Sequence, residues 1–168
     1  INSLHVMVFY ADGNMQIDKV VAINRVEDLD VQSGAVKILV LANAGTREKQ
    51  FGTLKEALVY QRALDNENEN NGYSMIRRLI EATLDDGMHN IFGEIKDFSG
   101  HMPNVSKDGN NIKLTRHIAQ INLKSVSVKS DNGKASFVID SVFMANVKGY
   151  SLMAANSTEE WGMVESKG

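Results

Sequence analysis

Ala35-Val36-Lys37-Ile38-Leu39-Val40-Leu41-Ala42 is apolar at every position but one, and Asn43-Ala44-Gly45 stops it. Ile38, Val40 and Ala42 share one parity, Leu39 and Leu41 the other. A strand with hydrophobic side chains on both faces has no solvent face, so this segment predicts a central strand covered on both sides. Leu4-His5-Val6-Met7-Val8-Phe9-Tyr10 has the same character, and Ala11-Asp12-Gly13-Asn14 supplies turn residues after it. Gln16 to Ile23 reads as a second strand, and a polar stretch from Asn24 to Asp28 leads on toward Ser33-Gly34, which introduces the central segment.

From Gly52 the period changes. Thr53-x-x-Glu56 is a capping-box pattern, and Leu54, Ala57, Leu58 and Leu64 then make one apolar stripe at helical spacing. After the polar loop from Asp65 to Gly72, a second short helix is expected. Met75, Ile76, Leu79, Ile80 and Leu84 would face inward, Arg77, Arg78 and Glu81 outward, and Asp85-Asp86-Gly87 would end it. Residues 88–111 carry only scattered apolar positions and the single proline, Pro103. Ile112 to Val128 reads as a long strand whose parity slips between Leu123 and Val126, as a bulge would cause. Asp131-Asn132-Gly133 is a hairpin turn of type I′ chemistry. The return strand runs through Phe137-Val138-Ile139 to Val142-Phe143-Met144, and a last β segment falls near Tyr150-Ser151-Leu152-Met153. The expectation is a mainly β protein, a β-sandwich with a helical insertion. Residues 1–155 form the domain, and 156–168 form a tail that is polar apart from Trp161, Met163 and Val164.

The 168 residues suit one domain, long enough to bury roughly two-thirds of the unfolded surface. A net charge of −3 without any basic stripe argues against a nucleic-acid footprint. The absence of cysteine excludes disulfides, thiolate zinc sites and Cys nucleophiles. No apolar run reaches the roughly 18 residues of a membrane-spanning helix. The chain begins at Ile1 without a charged-then-apolar leader, which reads as a mature or trimmed chain.

The residues of catalysis occur but not in working patterns. His5, His89, His101 and His117 form no His-x-x-x-His or Glu-x-x-His pair, so metal ligation through histidine is not expected. Asp65, Glu67 and Glu69 alternate like calcium ligands, but the glycine comes at the eighth position rather than the sixth, so a solvated connector is the expectation. No Gly-x-Ser-x-Gly elbow or phosphate-cradling loop is present, and Ser99-Gly100-His101 is a coincidence of types. Asp85-Asp86 reads as a helix end, since adjacent side chains point apart. Asn104-Val105-Ser106 and Asn156-Ser157-Thr158 match the N-glycosylation triplet, which arises often by chance. The expectation is no catalytic residue, no metal and no cofactor.

Five stretches, taken in order, resemble the Bacteroidetes fimbrillins, the major fimbrial subunits of the type V pilus class. They are Leu4 to Tyr10 with its polar turn, and Val26-Glu27-Asp28-Leu29 leading through Ser33-Gly34 into Lys37 to Asn43. The third is Gly52-Thr53-Leu54-Lys55-Glu56 at a helix start, and the fourth Ile112 to Ile121, similar to the family's Leu-x-Arg-x-x-Ala-x-Ile strand. The last is Phe137 to Val147. Each is weak alone; their order and spacing from residue 4 to about 155 carry the resemblance, which is to the family's N-terminal domain.

The resemblance implies a transthyretin-like Greek-key β-sandwich of about seven strands with a short helical insertion. It implies an outer-membrane lipoprotein precursor cut after an Arg or Lys, and a mature structural subunit of a cell-surface fimbria that supports adhesion. The implied partners are other fimbrial subunits, joined by strand donation, and surface receptors. The family's lipobox Cys, its cleavage-site basic residue and its second sandwich domain are not in this chain. A sandwich short of one strand leaves an apolar groove with unpaired backbone. The groove expectation falls on Leu4, Val6, Val8, Phe137 and Ile139. Plain core strands would show the same residues. A surface-exposed carbohydrate- or protein-binding sandwich that does not polymerise is the alternative. Against it, Trp161 stands alone and Tyr10, Tyr60, Tyr73 and Tyr150 are scattered.

Overall fold

In the computed structural model, residues 1–23, 28–44, 50–64, 67, 72–76, 79–87, 89–90, 112, 114–118, 121–127, 129, 138–145, 149–153 and 163–164 are described. The central segment is a nine-residue strand, β3 (Gly34–Ala42). It lies beside β1 (Leu4–Tyr10), which pairs on its other side with β2 (Met15–Val21), all antiparallel. The β1–β2 turn forms because Gly13 supplies a positive φ of 92° while the Asp12 carboxylate accepts from the Asn14 backbone N–H at 2.9 Å.

One short helix, α1 (Leu54–Val59), starts where the capping box predicts. Thr53 Oγ1 accepts from Glu56 N at 3.3 Å, and Glu56 Oε2 accepts from Gly52 N at 2.9 Å. The helix start is pinned to the first turn, because Leu54 N donates to Gly13 O and Met15 N to Gly52 O. Leu64 of the expected stripe falls beyond the helix, after β4 (Gln61–Ala63).

The expected second helix does not form. Its residues give β5 (Met75–Ile76) and β6 (Ile80–Leu84), both antiparallel to β3. Ile80, Ala82 and Leu84 alternate, while Met75, Ile76, Leu79, Ile80 and Leu84 repeat at helical spacing, and the edge of β3 decides between the two periods. Of the expected long strand from Ile112, β7 (Thr115–Arg116) pairs with β5, while 121–127 lie in no strand. Residues 138–145 of the return strand also lie in no strand; Phe137 and the turn at 131–133 are outside the described residues. The segment at 150 is β8 (Tyr150–Leu152), which pairs with β4 and with β9 (Met163–Val164). β9 sits within the stretch read from sequence as a polar tail.

The architecture is mainly β, as expected: a large antiparallel sheet ordered β2-β1-β3-β5-β7 with β6 also on β3, and a small one ordered β4-β8-β9. Both faces of the large sheet are apolar. Met7, Phe9, Leu39, Leu41 and Ile76 form one core with Phe51, Leu54 and Ala57 of the helical segment and Met153 behind β8. Val8, Val36, Ile38, Val40 and Leu84 form the other. Registry explains the division, because Val6 lies opposite Val40 and Met7 opposite Leu39, so alternate residues keep to one face across both strands.

Candidate assembly face and the polar seam beside it

Leu4, Val6 and Val8 are brought together on the second of these faces. Val8 is buried; Leu4 and Val6 are only partly so, and Ile17, Val31, Ile80, Ala82, Ile112 and Leu114 pack with them. β1 itself has a hydrogen-bonded neighbour on each side, so these three side chains lie on the floor of the sheet rather than on an open edge. Among the described residues the outer side of β2 has no strand partner, and Asp18 and Lys19 mark that edge with charge. Ile139 is not brought to this face: it lies in 138–145, where Val138, Val142, Phe143 and Met144 are also exposed. Phe137 lies outside the described residues.

A polar seam ties the start of β1 to the junction of the two sheets. Asn43, just past β3, takes the left-handed conformation that Asn tolerates, with φ of 54°. Its Oδ1 accepts from Asn2 N at 2.7 Å and Ser3 N at 3.3 Å, its backbone N donates to Ser3 O, and its Nδ2 donates to Tyr73 O at 3.0 Å. A side chain at Gly72 would put a Cβ 2.5 Å from Asn43 Nδ2, so this close approach requires glycine. The Asn43 carbonyl accepts from Arg62 Nη1 at 3.3 Å, and Arg62 Nη2 pairs with Glu67 Oε1 at 2.9 Å.

Glu67 is therefore not the solvated connector its loop suggested. Only 1% of its side chain is exposed, and Oε2 accepts from Ser74 N at 2.6 Å. Ser74, itself buried, bonds through Oγ to His117 Nδ1 at 2.9 Å and accepts from His117 N at 3.1 Å. Burial, with the Arg62 cation added, pulls the His117 pKa below its usual 6.5, against Glu67 and the backbone groups of Met153 and Ser74. The seam's side-chain bonds join residues up to 43 positions apart in sequence, so no spacing motif announces it.

Among the described residues, no group of three or more His, Asp or Glu is placed to hold a metal ion, and no helix is long and apolar enough to cross a membrane. Ser74 and His117 touch, but the serine is 1% exposed, and the Glu67 carboxylate accepts from its backbone N–H. The described residues form a mainly β domain with one apolar sheet face partly covered. The chain belongs to the major fimbrial subunit protein (FimA) family, whose sequence profile matches residues 1–116.

Two solved structures share its fold. Both are candidate cell adhesion proteins of Parabacteroides distasonis ATCC 8503. One is 26% identical with a TM-score of 0.74 over 99% of this chain, the other 23% identical with 0.75 over 100%. The chain spans about half the length of each, 50% and 52%. No curated protein matches its sequence.

Proposed function

We propose that this chain is a structural subunit of a cell-surface fimbria, that it polymerises by strand donation, and that it supports adhesion. The carrying observation is the face formed by Leu4, Val6 and Val8, apolar yet only partly covered toward the start of β1. A donated strand laid over that face would place alternate side chains against it. About four such side chains, at roughly 1.5–3 kcal/mol each, give about 6–12 kcal/mol before ordering costs. Family membership and the adhesion-related fold neighbours support the surface setting. The partners are other fimbrial subunits and surface receptors, and the route is an outer-membrane lipoprotein precursor released by cleavage after a basic residue.

The test is to express the precursor, cut it with trypsin and run the product unheated in SDS. A ladder of resistant oligomers is expected after cleavage and not before. A single monomer band under both conditions would leave the non-polymerising binding module as the better reading.

A further inference from the structure

The polar seam contains a titratable side chain, His117, packed among charged and polar partners from several segments. Facing His117 are Arg62 from β4, Glu67 from the segment after β4, Ser74 from the segment before β5 and the Met153 backbone behind β8. The neighbouring Arg116, at the end of β7, places its guanidinium 5.6 Å from the centre of the Tyr73 ring. Arg62 and Glu67 already neutralise each other at 2.9 Å. In the neutral tautomer that carries its proton on Nε2, His117 Nδ1 accepts the Ser74 Oγ–H across 2.9 Å.

We infer that the seam is an acid-sensitive latch: a proton on His117 sets a second cation beside Arg62, removes the acceptor for the Ser74 hydroxyl, and loosens the sheet junction together with the start of β1. The connection to β1 is physical. Arg62 holds the Asn43 carbonyl, and Asn43 holds Asn2 and Ser3. Glu67, with 1% of its side chain exposed, cannot answer the added charge by turning to water without leaving Ser74 N unbonded.

The lowered pKa of His117 gives the direction in solution. The unfolded chain takes up its proton first, as pH falls below about 6.5. Stability from this residue is complete above that pH, is lost as pH falls toward the folded-state value, and is flat below it. Each unit of lowering is a tenfold change in the folding equilibrium constant.

The experiment is a histidine NMR titration of the whole chain, with amide exchange of Ser3 and Asn43 followed at about pH 7.5 and 5. His117 should titrate below 6.5, and Arg62→Gln should raise it. Opening at Ser3 and Asn43, corrected for intrinsic exchange, should increase about tenfold on acidification for each unit of lowering. His117→Gln should flatten the fall in denaturation midpoint over this range. His117 titrating at or above 6.5, or opening at Ser3 and Asn43 that ignores pH, overturns the latch even if the variant does not fold.

Discussion

Val6 and Met7 are neighbours on β1 and meet very different surroundings. Met7 points into a core closed by Phe51, Leu54, Ala57 and Met153, and none of it is exposed. Val6 points to the opposite face, where it packs against the cluster of Val8, Val36, Ile38, Val40 and Leu84 and remains partly accessible. The contrast is confined to the start of β1. On β3 both faces are closed, since Ile38 and Val40 are as buried as Leu39 and Leu41. A strand fully buried on one side and partly open on the other can keep its own stability while leaving apolar surface for a neighbour. That separation is what an assembling subunit needs.

The strongest way to break the comparison is at the centre of the open-sided face. Val40→Asp should abolish folding, because an unpaired charge at a site 4% exposed costs more than a domain's total stability. A variant that still melts cooperatively would show that the opening reaches β3. On the opposite face, Phe9→Ala should cost about 3–5 kcal/mol in denaturant unfolding, since Phe9 is fully buried in that core. Gly72→Ala tests the seam: its φ of 75° and the 2.5 Å approach to Asn43 predict a loss of about 1–3 kcal/mol. Smallest of all, Val6→Ala should cost only about 1 kcal/mol in the isolated chain while weakening oligomers far more. Equal losses for Val6→Ala and Phe9→Ala would erase the distinction between the faces.

The large sheet was legible because β1 and β3 are apolar at both parities, which leaves no alternative to double cover. The capping box placed the start of α1, since Thr53 and Glu56 act within one turn, while its end at Val59 came earlier than the stripe to Leu64 suggested. The second expected helix failed because Met75 to Leu84 satisfies both periods, and only the vacant edge of β3, a tertiary fact, selects strand. Groove residues were readable only as hydrophobic strand positions: Leu4, Val6 and Val8 do share a face, whereas Ile139 does not join them. The seam had no sequence signal. Glu67 stands in an Asn- and Glu-rich loop that looks solvated, and its burial depends on Arg62, Ser74 and His117 arriving from three other segments.

Because the chain has no cysteine, a single introduced thiol reports on either face without interference. The most direct measurement compares thiol labelling of Val6→Cys and Met7→Cys in the isolated chain and in assembled fimbriae. Val6→Cys should label in the isolated chain and become protected on assembly, while Met7→Cys should stay protected in both. Labelling of Val6→Cys that is the same in free and assembled protein would contradict the claim that this face receives a neighbour's strand.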